Sequence, residues 1–214
     1  MQITEKKAVQ KRSQLKRDNI INALDELLKI KNFDAIGIAD VANMADISSA
    51  TIYQRFDNKH VLISILLSLY LRKVEQWGKS ENGQLNLNGA DTLYETLIRI
   101  GQNAWDQFEA LHYIMRPAYL YSRLRPELLG VHWQHQEQKA IAGFEQTLSV
   151  WKHELNGKDT AKTAAIIANF FNMMLLGRLL HTDEFSSWNV ADDSTDFTNQ
   201  LADFVCGYLA FSKP

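Results

Sequence analysis

The chain has 214 residues, of which 46% are hydrophobic and 22% charged, a composition that indicates a folded globular protein and excludes a largely disordered one. Its single cysteine, Cys206, cannot form a disulfide within the chain, which fits a reducing cytoplasm. The polar and basic N-terminus lacks the apolar segment of a secretory signal. We expect the longest apolar runs, 61–71 and 164–180, to be too short or too interrupted to span a bilayer. A cytoplasmic protein without membrane contact is therefore expected.

Charge is distributed unevenly along the chain. The formal net charge is −2, but residues 1–17 carry +5 and residues 61–214 carry −4. A basic arm in front of an acidic body is what a phosphate-binding end would look like. A solvated, disordered tail would explain the same charges equally well.

Apolar residues recur at helical spacing through the chain, and no alternating run of strand length is visible. The pattern predicts an all-α protein of about nine helices. They are expected at residues 13–31, 38–45, 49–56, 59–78, 90–108, 111–121, 127–155, 159–181 and 194–211. Pro117 and Pro126 are expected to end or start elements. Residues 80–89, rich in Gly and Asn, are a predicted linker.

Two of the predicted helices, 38–45 and 49–56, are short and separated by a tight turn at Asp46-Ile47. Ser48 suits the N-cap of the second helix, because its hydroxyl can accept a bond from an unpaired backbone N–H. A small apolar core would fix the angle between the helices; its members are Val41, Ala42, Ile47, Ile52 and Phe56. This pattern predicts a helix-turn-helix, whose second helix lies in the major groove of DNA.

Residues 13–66 resemble the tetracycline-repressor (TetR) family. The matching residues are Asn32-Phe33, Ala39-Asp40-Val41-Ala42, Ala45-Asp46-Ile47-Ser48, Thr51-Ile52-Tyr53, Phe56, Lys59 and Leu62. The resemblance implies a homeodomain-like three-helix DNA-binding domain, followed by a helical ligand-binding and dimerisation domain. We place the first, with its basic arm, at residues 1–58 and the second at 59–214. A three-helix unit used for protein contacts is the alternative.

The resemblance also implies which side chains contact double-stranded DNA. Small Ser49 and Ala50 would approach base edges, while Gln54 could read an adenine, face solvent or face the protein's own first helix. Hydroxyl and cationic groups are good phosphate donors, so the residues expected at phosphates or adjacent bases are Thr51, Tyr53, Arg55 and Lys59. Tyr53 could also pack beneath the next helix. Ser48, at the start of the helix, completes the predicted DNA-binding set.

Two places depart from the family's pattern. The family usually has Gly at the turn, where this chain has Asp46; that place often needs a left-handed backbone, which Asp tolerates better than most residues. The family often has Thr and a basic residue near the start of the first motif helix, where Gly37 and Ala39 stand here. Gly37 can still cap that helix without a side chain, but a phosphate contact is not expected there.

The last two predicted helices have the patterns of an interface. Residues 159–181 are apolar almost all round, so this helix must be covered on more than one side. Apolar residues of 194–211 form one stripe: Phe197, Leu201, Phe204, Val205 and Tyr208. Two such helices from each of two chains would form a four-helix interface, and the resemblance likewise implies a homodimer through them. One thick monomeric core is the alternative.

Aromatic and polar residues of the predicted regulatory domain could line a pocket for a small-molecule inducer of unknown identity. The candidates are Trp105, Phe108, His112, Tyr113, Arg116, Tyr119, Trp133, Phe144 and Phe170. Each is explained more simply as an ordinary core residue.

Together these patterns predict a ligand-responsive transcriptional regulator: a dimeric repressor that binds a two-fold symmetric operator and is released by its inducer. An activator is also compatible with the sequence. Asp46 and Ala39 favour an alternative, a helical protein-interaction adaptor that has lost DNA binding.

A metal-binding helical enzyme is a less favoured alternative. Glu109-x-x-His112 has the spacing found in di-metal bundles, and His132 with His135 could hold a metal. A di-metal bundle needs two such motifs and further acids, and one motif is present. We therefore expect no enzyme activity and no cofactor.

Overall fold

The computed structural model describes residues 2–56, 60–128, 130–180 and 193–211, with the side chains of these residues except 2–12, 128 and 130–133. Within these ranges the protein is all-helical, as predicted. The α-helices are α1 (Gln2–Leu28), α2 (Ile38–Met44), α3 (Ser49–Tyr53), α4 (Val61–Lys79), α5 (Leu93–Leu124), α6 (Gly130–Val150), α7 (Thr160–Leu180) and α8 (Ser194–Ala210). Short 3-10 helices occupy Phe33–Ala35, Pro126–Leu128 and Lys152–Glu154.

The described residues contain eight α-helices where about nine were predicted, because the predicted fifth and sixth helices are one continuous helix, α5. Pro117 lies inside α5, although an interior proline removes a backbone donor and costs about 3 kcal/mol. Ile114 and Ala118, on either side of it, are fully buried. The hydroxyls of Tyr113 and Tyr121 donate to carboxylates of other segments. Tertiary contacts therefore override the local signal for a helix end.

The helix α1 begins at Gln2, well before its predicted start at residue 13. The backbone of the basic arm is therefore a continuous extension of α1. Two α1 residues, Ile20 and Leu24, are fully buried, as are Ile65 and Leu66 of α4. Each such apolar side chain contributes about 1.5–3 kcal/mol on burial, so α1 and α4 supply much of the core at this end of the chain.

The described residues form two compact units. The first unit comprises those within Met1–Gln76 and Tyr113–Leu129, and the second those within Trp77–His112 and Gly130–Pro214. Both α4 and α5 have residues in each unit. The predicted division into domains 1–58 and 59–214 stays a prediction.

The second unit has its own core, in which α6 and α7 pack along each other. Leu97, Leu148 and Leu201 are fully buried in it. A Cβ atom at Gly101 of α5 would lie 2.9 Å from Thr198 Cγ2 of α8, so the absence of a side chain there permits the close approach of these two helices.

The helix α7 is apolar on nearly all sides, as expected. By length and composition alone, Thr160–Leu180 could cross a membrane, so the expectation that this run is too interrupted to do so is wrong. Core helices of soluble proteins pass the same test, and α7 buries Ala164, Ile167 and Phe171 in the core of the second unit.

The turn between α2 and α3 closes α2 with a Schellman motif. The Ile47 amide donates to the Ala42 carbonyl at 3.0 Å, and the Asp46 amide donates to the Asn43 carbonyl at 3.2 Å, which is the bond pattern of that motif. Asp46 has a φ of 52°. The predicted left-handed backbone at this position is confirmed.

Substitution of Asp46 tests the strain in this turn. Asp46→Ala should lower the free energy of unfolding by about 1 kcal/mol, because a left-handed backbone is costly for a residue whose side chain cannot hydrogen-bond locally. Asp46→Gly should preserve or raise it, since glycine adopts this φ without steric cost. Urea unfolding followed by circular dichroism measures both.

Ala45→Gly is the matched control, because Ala45 has a φ of −85° and glycine relieves nothing there. If Ala and Gly at position 46 have the same effect, the turn stores no strain at Asp46.

Candidate nucleic-acid interface

The short helix α3 is held at its start by Ser48, as predicted. Ser48 Oγ accepts a bond from the Thr51 amide at 3.3 Å and lies 3.0 Å from Thr51 Oγ1. The helix ends at Tyr53, with Gln54 as its C-cap, and is therefore shorter than the predicted 49–56. A helix this short is marginal by itself, so its cap and the core beneath it must hold it.

The two sides of α3 differ as the sequence pattern predicts. Ile52 has no exposed surface, and Phe56, just beyond the helix, is also buried. On the outer side Ala50, Tyr53 and Gln54 are exposed, with Tyr53 at 57%. Small and hydrogen-bonding groups are thus presented to solvent on a helix whose orientation is fixed by its apolar side.

Arg55 is joined to α1. Its Nη1 donates to Ser13 Oγ at 2.8 Å and to the Ser13 carbonyl at 3.3 Å. One helical turn further along α1, the Arg17 guanidinium lies 5.3 Å from the centre of the Phe56 ring. The end of the α3 segment therefore packs against the middle of α1, a contact that the sequence pattern did not reveal.

The start of α2, where Gly37 stands in place of the threonine that the TetR family often has, is held by the Asp40 carboxylate. Asp40 Oδ2 accepts a bond from the Gly37 amide at 2.8 Å, and Asp40 Oδ1 lies 3.4 Å from Lys31 Nζ. The Gly37 amide and then Lys31 lower the pKa of Asp40 below its ordinary value. Gly37 thus caps α2 without a side chain of its own, as expected.

A polar cluster missed from the sequence holds α1 in the first unit. Asp25 of α1 is only 7% exposed, and it accepts a bond from the Tyr113 hydroxyl at 2.7 Å and pairs with Lys73 Nζ at 2.6 Å. Burial, then the bond to Asp25, raises the pKa of Tyr113. The available signal was the position of Asp25, which falls in helical register with buried Ile21 and Leu28.

Two further bonds support the same part of the first unit. Arg72 of α4 donates to Asn22 Oδ1 at 2.8 Å. Tyr121 of α5 donates to Asp34, and the bond raises the pKa of this tyrosine. The Tyr121 ring also meets Phe33 edge-on, with centroids 4.9 Å apart.

Lys59, a predicted phosphate contact, lies outside the described residues, as do the side chains of the arm before Ser13. Their predicted roles on DNA stay predictions, as do those of the described α3 residues.

The predicted ligand-binding residues are divided between the two units. In the second unit, Trp105 and Phe108 are buried with ring centroids 6.4 Å apart, and Phe108 lies 5.9 Å from the ring of exposed His112. The Arg178 guanidinium, which is not among the predicted ligand-binding residues, lies 4.0 Å from the Trp105 ring centroid and 3.9 Å from a Glu109 carboxylate oxygen.

Of the remaining candidates, Phe144 shares the core of the second unit with Trp105, and Phe170 packs against that core. Phe144 meets Phe171 at a centroid distance of 4.9 Å, and Phe170 stacks on Phe204 at 4.0 Å. Tyr113, Arg116 and Tyr119 belong to the first unit, and the Trp133 side chain is outside the description. Arg116 is exposed, and Arg123 lies 5.1 Å from the Tyr119 ring.

The Glu109–His112 pair is not arranged as a metal site in this structure. His112 Nδ1 lies 3.0 Å from the Glu109 carbonyl, while the Glu109 carboxylate faces Arg178. Among the side chains that the structure describes, no group of three or more His, Cys, Asp or Glu residues could hold a metal ion. His132 lies outside those side chains.

Comparison with known proteins agrees with this geometry. Residues 20–64 match the family model of the bacterial regulatory proteins of the tetR family. This span contains α2, α3 and the buried apolar residues of α1. No curated protein is significantly similar in sequence.

Three solved structures share the fold over nearly the whole chain. A protein from Mesorhizobium loti described as a TetR-family transcriptional regulator is 20% identical, covers 92% of this chain and 96% of its own, and has a TM-score of 0.60. One so described from Rhodococcus is 16% identical, with 89% and 98% covered and a TM-score of 0.57. FadR of Bacillus halodurans, a fatty acid degradation regulator, is 19% identical, with 92% and 97% covered and a TM-score of 0.52.

Identities this low show the fold alone. Residues 20–64 are similar to the helix-turn-helix domain of the tetR-family regulatory proteins, and the chain has the fold of these solved structures.

Proposed function

We propose that the protein is a repressor that binds a two-fold symmetric operator as a homodimer and is released from it by a small-molecule inducer. The observation that carries this proposal is the solvent-facing side of α3. The Schellman turn and the Ser48 cap fix the angle of this helix to α2.

The chemistry of that side suits base and phosphate contacts. Ala50 is small enough to approach a base edge or a thymine methyl group, and Gln54 has the amide that pairs with adenine. The exposed Tyr53 hydroxyl is a phosphate donor. Arg55 is held by Ser13, but its guanidinium has five donors, so a phosphate contact remains compatible with that bond.

Dimerisation is supported by apolar surface on the last two helices. Met173 of α7 is 51% exposed, and Phe204 of α8 is 58% exposed while it stacks on Phe170. Ile166 of α7 is 41% exposed. Large apolar side chains on neighbouring turns of two helices are typical of a surface that a second copy covers.

An inducer site is proposed beside Trp105, Phe108 and His112 of α5. A buried aromatic surface next to the Arg178 guanidinium offers both apolar contact and a positive charge, the combination that orients a small ligand. The distances between these groups support a site for an amphipathic molecule with a negative group.

Selection of bound sequences from random duplex DNA, with purified protein at a stated salt concentration, tests the proposal. Enrichment of a two-fold symmetric site is expected, because two recognition helices of a dimer read half-sites about 34 Å apart. Absence of any enrichment with folded protein, with and without metabolite extract, would contradict DNA binding and favour the adaptor alternative.

Removal of a predicted phosphate contact gives a second prediction. Lys59→Ala should weaken binding to specific and unrelated duplexes alike and should reduce the slope of log affinity against log salt by about one. Fluorescence anisotropy over a salt series measures it. Lys152→Ala, which removes an exposed lysine of the second unit, is the control and should change neither value. An unaltered slope in Lys59→Ala would show that this lysine holds no phosphate.

The proposed dimer face gives a third prediction. Phe204→Glu should shift the protein from dimer to monomer in light scattering, because burying an unpaired carboxylate at an interface costs several kcal/mol. Val150→Glu, at a 69% exposed residue of α6, is the matched control and should remain dimeric. Dimers of equal stability for both variants would place the interface elsewhere.

A further inference from the structure

The chain enters the first unit a second time through α5. Residues 113–129 belong to the first unit, with the helix-turn-helix, whereas the preceding turns of the same helix belong to the second. The predicted domain division at residues 1–58 and 59–214 placed all of α5 in the regulatory domain. Because α5 is continuous, it joins the second unit to the first in addition to α4.

The first residue of α5 inside the first unit is Tyr113, and it bonds α1 directly. Its hydroxyl donates to Asp25 Oδ1 at 2.7 Å, while Lys73 Nζ of α4 lies 2.6 Å from Asp25 Oδ2. The two oxygens of one carboxylate are thus engaged by the two helices that have residues in both units. If α4 or α5 is displaced, either Asp25 moves with it or the bond between that helix and Asp25 breaks.

Burial makes these bonds costly to break. The Asp25 side chain is 10% exposed and that of Lys73 is 24% exposed, so water can replace little of what a lost partner provides. Removing one partner of a largely buried pair is far more damaging than removing one from a surface pair. The bonds from Tyr113 and Lys73 to Asp25 therefore favour movement of α1 as a whole over the local breaking of one bond.

The same carboxylate lies within the helix that supports α3. Asp25 is followed in α1 by buried Leu27 and Leu28 and preceded by buried Ile21 and Leu24, and Ser13 of the same helix accepts a bond from Arg55. A displacement of Asp25 is therefore transmitted along α1 to the residue that bonds the end of the α3 segment.

We propose that Asp25 is the coupling residue of this protein, through which α4 and α5 together set the position of α1 and hence of the recognition helix α3. Tyr113 and Lys73 are positioning residues that act through Asp25. The inference rests on the proposed DNA binding and adds the residues by which DNA and the second unit affect each other.

Coupling is reciprocal, so DNA can serve as the probe without knowledge of the inducer. In hydrogen-exchange mass spectrometry of full-length protein, the duplex enriched by selection should change exchange in the second-unit part of α5, residues 93–112, by about fivefold or more. In Tyr113→Phe the change at residues 93–112 should be lost, while protection of residues 38–56 by DNA should persist.

Tyr94→Phe is the matched control, because it removes a hydroxyl from the same helix that bonds Asp203 at 3.1 Å within the second unit. It should behave as the wild type does. Lys73→Met is a second variant that acts from α4, and it should remove the DNA-dependent change in the second-unit end of that helix, residues 77–79.

The outcomes separate this inference from the proposed function. DNA bound with no change in residues 93–112 of the wild type, or the same change in the wild type and Tyr113→Phe, overturns the coupling role and leaves DNA binding intact. A Tyr113→Phe variant that is less stable but retains the change shows a structural role only and likewise overturns it. No binding to any duplex, seen by anisotropy in the same samples, defeats the proposed function and the inference together.

Discussion

A carboxylate withdrawn from water governs the arrangement of the first unit. Asp25 lies among the buried apolar residues of α1, where an ionised group without partners would be prohibitively costly. The partners that the structure gives it come from other helices, Lys73 of α4 and Tyr113 of α5. The two bonds to the Asp25 carboxylate thus hold α1, α4 and α5 together in the first unit. Apolar packing between these helices adds to that stabilisation.

The recognition helix depends on its surroundings more than on its own sequence. The helix α3 has five residues, too few to be stable alone. It is shaped by the Schellman turn before it, the Ser48 cap at its start, the buried Ile52 beneath it and the Arg55–Ser13 bond just after it. The outer residues of α3 are consequently not needed to hold the helix in place, which explains how Ala50, Tyr53 and Gln54 can remain exposed.

Much of the motif was predictable because its signals are local. Helix caps, the left-handed turn at Asp46 and the inward side of α3 each depend on residues a few positions apart, and the structure has them as expected. The continuity of α5 through Pro117 was not predictable, since it depends on Tyr113 and Tyr121 meeting partners far away in the chain. Asp25 was hidden for the same reason: its helical register showed that it would be buried, but not which donors would reach it.

The bond between Arg55 and Ser13 has a consequence for the basic arm. Because the arm's backbone continues α1 without a break, the bond sets a rotational phase for every residue before it, at about 100° per residue. The backbone of the arm therefore has a fixed rotational position relative to the recognition helix. Gaining or losing a single residue between the arm and Ser13 would turn the backbone of the whole arm to another side of α3.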